Sequence, residues 1–126
     1  MRIDLKLGGE IIPLYFGMVA FEEMQKLVGN YMGENKYAAD VVWSGYLNNC
    51  AINNEYPERK YSDVMELVES YFFENKSEDS NLDDVLSSFE KSKAGSKLFD
   101  IVDKAVEVMN SVNEAVEDSK KKKKQD

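Results

Sequence analysis

The sequence contains no histidine, one cysteine, two prolines and one tryptophan. Without histidine, the commonest general base and the commonest metal ligand are both missing. Serine–histidine and cysteine–histidine catalysis are thereby excluded. The single Cys50 cannot form an intramolecular disulfide and fits a reducing compartment. No apolar run approaches the roughly 20 residues that span a bilayer. The opening "MRIDLKLGGE" has no apolar stretch of the signal-peptide kind, so the chain is expected to stay in the cytoplasm.

What is present is an ordinary globular balance with an acidic excess. Hydrophobic residues make up 43% and charged residues 32% of 126 residues, enough for one domain with a core. The net charge is −8. Five of the basic residues are consecutive, Lys120 to Lys124, and one acid, Asp126, follows them. The preceding 119 residues therefore stand at about −12. Such a surface repels nucleic acid and anionic lipid, so neither is an expected partner. It suits a basic or mostly apolar partner. We expect a helical domain over 1–118 and a disordered, lysine-rich tail over 119–126.

The pattern predicts a mainly α fold, with a small N-terminal β-hairpin followed by about five helices. Ile3, Leu5 and Leu7 alternate with Arg2, Asp4 and Lys6, the period of a half-buried strand. Gly8-Gly9 suits a tight turn, and Ile11, Ile12, Leu14 and Phe16 form the return strand. Pro13 cannot donate a ladder hydrogen bond, so that strand lies at an edge or ends there. The period then becomes helical. Phe21, Met24, Leu27 and Val28 share one face of a helix stopped by Gly29 and Gly33. "KYAADVVWSGYLNNCAIN" is apolar nearly all round, with only Asp40, Ser44 and Asn48 as a polar strip. Such a helix is central, or has its second face covered by a partner. Val64, Leu67, Val68, Tyr71 and Phe72 define a third helix capped by Ser62 or Asp63. A short fourth, capped by Ser80 or Asn81, turns Leu82, Val85, Leu86 and Phe89 inward. Ala94-Gly95-Ser96 reads as a break. A last helix over about 97–117 carries the stripe Leu98, Ile101, Val102, Ala105, Met109, Val112 and Val116.

No stretch offers catalytic chemistry, and no cofactor is expected. Asp79, Asn81, Asp83 and Glu90 have the spacing of calcium-loop ligands, but Asp84 occupies the position that needs glycine. The same stretch reads better as a helix start with capping acids. Glu22 and Glu23 lie on a polar helix face, where solvation explains them. Cys50 reads as a small core residue. Two features point to protein contacts instead. Phe73 faces about 180° away from the stripe of its own helix. Trp43 and Leu47 form the second apolar face of the central helix, where burial in a helical core is the plainer reading.

Residues 3–93 resemble the tail assembly chaperones of long, non-contractile-tailed phages of the Gram-positive type. The likeness rests on Ile12-Pro13-Leu14, Phe16-Gly17-Met18, Ala20-Phe21 and Glu23, then on "VVWSGYLNN", "YSDVMELVESYF" and "FEKSK". After Gly95 no motif of that family is present. The resemblance implies a non-enzymatic helper in the host cytoplasm. It would coat the long, apolar tape measure protein before the tail tube protein polymerises around it. It would self-associate and be missing from the mature virion. It also implies a second, longer product made by a programmed ribosomal frameshift near the end of the short gene. Lysine runs are written in AAA and AAG codons, a slippery stretch. Lys120, Lys121, Lys122, Lys123 and Lys124 would then mark where the two products part. Two plainer readings stand beside this one: a solubilising tail that favours a helix C-terminus, and docking onto the acidic body of a neighbouring copy. The competing functional class is a head–tail connector or small adaptor retained in the particle. A small regulatory binding domain is a third.

Overall fold

The computed structural model describes residues 2–28, 34–74 and 80–104, with the backbone alone at Val28, Glu34 and Asn35. The fold is mainly helical, a two-stranded antiparallel hairpin followed by five helices. The elements are β1 (Arg2–Leu7), β2 (Glu10–Tyr15), α1 (Met18–Val28), α2 (Glu34–Ile52), α3 (Tyr61–Phe73) and α4 (Leu82–Lys91). Residues 93–104 are also helical and are called α5. Among the described residues no helix is long and apolar enough to cross a membrane.

The hairpin turns where the glycines allow it. Gly8 and Gly9 both have positive φ, 58° and 77°, as a type I′ turn requires. Leu7 pairs with Glu10, Leu5 with Ile12 and Asp4 with Pro13. Counting from the turn, the ladder alternation puts Pro13 at a non-hydrogen-bonded pair, so its missing N–H costs no bond there. One face, with Leu5, Leu7, Ile12 and Leu14, is buried. Ile11 was expected to join that strand's apolar set but points outward and is exposed.

The outer edge of β1 is closed by side chains. Asn81 Oδ1 accepts from the Lys6 N–H at 2.7 Å, and Asn81 Nδ2 donates to the Asp4 carbonyl at 3.0 Å. Ser80 Oγ donates to the Lys6 carbonyl at 2.7 Å and accepts from the Leu82 N–H at 3.3 Å. Ser80 and Asn81 thus substitute for a third strand and remove an edge that could template aggregation. Asn81 stands at the start of α4, but its amide serves the sheet and makes no cap bond.

α2 is the central element, in contact with β2, α1, α3 and α4. Its buried residues include Ala38, Ala39, Val41, Val42, Tyr46 and Cys50. The predicted polar strip, Asp40, Ser44 and Asn48, is also inside, and Asn49 is buried beside it. Of the two sequence alternatives for this helix, the central one is observed. Gly45 sits where β2 passes close by. A Cβ there would lie 2.7 Å from a Phe16 ring carbon and 3.2 Å from Leu14 Cβ.

Helix boundaries differ from the sequence reading at two places. α3 begins two or three residues early, after Lys60, because Asp63 Oδ2 accepts from the Lys60 N–H at 3.0 Å from inside the first turn. Asp63 is thus a first-turn acid, and neither it nor Ser62 is the N-cap. The expected break at Ala94-Gly95-Ser96 falls instead at Ser92. Ser92 Oγ accepts from the Gly95 N–H at 3.0 Å and donates to the Phe89 carbonyl at 2.6 Å. This serine caps α5, which therefore starts at 93. On α5 Leu98 is buried and Val102 half-buried, whereas Ile101 is exposed. Phe99, absent from the predicted stripe, packs towards Tyr37 at a centroid distance of 6.3 Å. The expected positions Ala105, Met109, Val112 and Val116 lie outside the described residues, as do Gly29, Gly33 and the boundary at 118/119.

Candidate functional site

The stretches that carry the family resemblance are distant in sequence and meet in space. α1 has no N-cap side chain, because Gly17 occupies that position. Its first donors are satisfied from α2 instead. Asn48 Oδ1 accepts from the Gly17 N–H at 3.0 Å and from the Ala20 N–H at 2.9 Å. Gly17 leaves room for this, since a Cβ there would stand 3.1 Å from Asn48 Oδ1 and 2.8 Å from the Tyr15 ring. Phe16 fills the space over Gly45 and meets Phe89 edge to face, with centroids 5.1 Å apart. "PLYFGM" and "WSGYLNN" are therefore two halves of one joint.

A polar centre lies on the other side of α2. The Asp40 carboxylate is fully buried. It accepts from Lys36 Nζ at 2.7 Å and from the Tyr61 hydroxyl at 2.6 Å. Burial raises the Tyr61 hydroxyl well above its ordinary value near 10, and the Asp40 hydrogen bond and charge raise it further. Trp43 packs between Tyr61 and Tyr46, at 6.1 and 5.9 Å. The Tyr46 hydroxyl accepts from the Glu58 and Arg59 N–H groups at 2.9 and 3.1 Å, which fastens the loop before α3. This centre couples α2 to α3.

The raised Tyr61 hydroxyl has a consequence for stability. A neutral phenol favoured in the folded state stabilises the protein fully below the unfolded value near 10 and progressively less above it. The melting temperature should therefore fall as pH rises past about 10. Tyr61→Phe should flatten that fall while lowering stability at neutral pH, because Asp40 Oδ1 loses a buried donor. Thermal melts of both proteins between neutral pH and pH 11 check this. Tyr71 is shifted in the same direction by burial and by Asp83, so a smaller slope should persist in the variant.

The predicted interaction residues are not brought together. Trp43 is half-buried, with its ring in the stack just described. Leu47, one turn further along α2, is also half-buried. Phe73 stands apart at the end of α3 and is 76% exposed. Lys120 to Lys124 lie outside the described residues. Cys50 is buried. Glu23 pairs with Lys26 at 3.6 Å on the surface of α1. Asn81, one of the calcium-spaced residues, has both amide atoms engaged with β1. Among the described residues no three potential metal ligands cluster.

Two grooves were not foreseen from the sequence. The first, about 320 Å³, lies between the start of α1 and the start of α5. Phe16, Met18, Phe21 and Ala94 line it, and Lys93 and Lys97 rim it. Met18 is 62% exposed, and Lys97 Nζ stands 5.2 Å from the centre of the Phe21 ring. The second, about 580 Å³, is polar, with Glu10, Glu58, Asp63 and Glu66 around Arg59. Arg59 is bridged to Glu10 at 3.0 Å. Periodicity assigned Phe21 to the core but gave no sign that α1 overhangs it at Met18. Compared with protein-family models, curated proteins and solved structures, the chain matches none of them.

Proposed function

We propose that this protein is a non-enzymatic phage tail assembly chaperone that coats the tape measure protein in the host cytoplasm and promotes assembly of the tail tube. The observation that carries the reading is the joint described above. Residues within the stretches that resemble the family, Phe16 and Gly17 on one side and Gly45 and Asn48 on the other, depend on one another sterically or by hydrogen bond.

The physical chemistry is consistent with that role. A tape measure exposes apolar helical surface that aggregates alone. This chain offers exposed apolar residues, Met18, Val19 and Phe73, on a strongly acidic body. Apolar contact covers the client, and the negative charge keeps the coated complex in solution. Low affinity per copy suffices where many copies line up. Half-buried Trp43 and Leu47 are weaker candidates for client contact than Phe73, since each must first leave part of its intramolecular packing. The lysine run would mark the end of the short product. Its gene should then hold an A-rich heptamer over Lys120 to Lys124 and an overlapping open frame downstream.

Mass spectrometry of purified particles tests the reading. A chaperone should be absent from the mature virion. Recovery in stoichiometric amount would favour a head–tail connector or adaptor and overturn the proposal.

A further inference from the structure

We propose that copies of this chain associate head to tail, with Phe73 of one copy seated in the groove between α1 and α5 of the next. The inference deepens the self-association named above and rests on that part of the reading alone. It does not require the client.

The two surfaces complement each other in polarity and in charge. Phe73 closes α3 and is 76% exposed, an aromatic side chain of the kind that anchors interfaces when buried. It is flanked by exposed acids, Glu69 one turn before it and Glu74 directly after it. The groove has the opposite arrangement. Its walls are Phe16, Met18, Phe21 and Ala94, and its rim carries exposed Lys93 and Lys97. Among the described residues neither lysine is bridged to a carboxylate. Lys97 is held over the Phe21 ring, beside the apolar wall.

Spacing agrees as well. Lys93 and Lys97 are one helical turn apart on α5, about 6 Å along the axis. Glu69 and Phe73 have the same spacing on α3, so an acid stands within reach of a lysine once the ring is seated. Met18 is unbranched and adapts its shape to a ring inserted beside it. On a body near −12, a lysine-rimmed apolar groove is a local exception, and the acidic surface of another copy is the complement most abundant around it.

The two patches lie on different elements, so the contact is heterologous. It generates a ring or an open filament rather than a closed two-fold dimer. A filament or stack of rings is also the form that can follow an elongated client.

Sedimentation velocity over a range of concentrations tests this with three proteins. The full chain should gain mass with concentration, beyond dimer. Phe73→Ala should stay monomeric, with association weakened roughly tenfold or more. The double variant Lys93→Glu, Lys97→Glu should also stay monomeric. Both changes are on the surface, so circular dichroism and melting should match the parent. Mixing the two variants is decisive. One still has a groove and the other still has Phe73, so the mixture should form a dimer and nothing larger. A full chain that stays monomeric, a Phe73→Ala protein that assembles like the parent, or a mixture with no dimer would each overturn the proposal. Client binding is read separately. A Phe73→Ala protein that still holds its client in solution would leave the chaperone reading intact.

Discussion

Asn48→Leu should destabilise the fold by about 3 kcal/mol, although leucine is the better helix former and the site is buried. The side chain removed is the cap of a different helix. Without Asn48 Oδ1, the Gly17 and Ala20 N–H groups lose their acceptor, and the leucine that replaces it excludes water. A buried backbone donor left unpaired costs roughly 1–3 kcal/mol, and two are affected. For a chain of this size the melting temperature should drop by about 10 °C. The loss should also be local. Hydrogen exchange should quicken first at the start of α1, in residues 17–21, before the centre of α2 opens. A variant that melts like the parent, with unchanged exchange at Ala20, would show that the joint between the two stretches carries no stability.

Gly95→Ala should be harmful where an ordinary helical glycine-to-alanine change helps. In an open helix the substitution stabilises by up to about 1 kcal/mol. Here the added Cβ would run into the Phe89 carbonyl oxygen and crowd Glu90 Cα at 3.1 Å. Both neighbours are backbone, so relief requires the α4–α5 turn to open. That turn is held by Ser92, whose hydroxyl bridges Phe89 and Gly95, and opening it breaks both bonds. We expect a loss of about 3 kcal/mol, at the upper end of overpacking costs. Phe89 and Leu98, buried on the two sides of the turn, would lose packing with it. Chemical denaturation of the two proteins reads the sign directly. A stabilised alanine variant would mean that the turn accommodates the methyl group without shifting.

These two positions show what was legible in the sequence and what was not. Period and composition suffice for the hairpin, for the buried Phe21 and Met24 of α1, for the inward stripes of α3 and α4, and for the central place of α2, because each depends on neighbours in the chain. Gly8-Gly9 is of that kind, since a two-residue turn states its own requirement. Capping rules placed the start of α4 at Asn81 but could not foresee partners that are remote. Gly17 has no capping side chain, and its acceptor is 31 residues away. Asn81 has the right identity for a cap but is drawn to the Asp4 and Lys6 backbone, 77 and 75 residues away. Gly95 marked a real discontinuity, but the glycine answers to close approach and the boundary itself to Ser92. A polar strip on a helix predicts solvent only when nothing else can satisfy it. Asp40 is buried because Lys36 and Tyr61 supply the donors that water would otherwise provide.

The candidate surfaces were legible in part. Phe73 is visible from sequence as an aromatic on the wrong side of its stripe, and it is exposed. Trp43 and Leu47 were equally visible as a second face, yet neighbours from the same chain cover most of each. The groove beside Met18 could not be read, since it exists only where the start of α1 meets the start of α5.

The most direct measurement is co-expression with the long tape measure product that the proposed function requires as client, followed by size-exclusion chromatography of the soluble fraction. The account predicts that the long protein is insoluble alone and elutes with many copies of this chain when both are made. A long protein that stays soluble without this chain, or that aggregates in spite of it, would contradict the account.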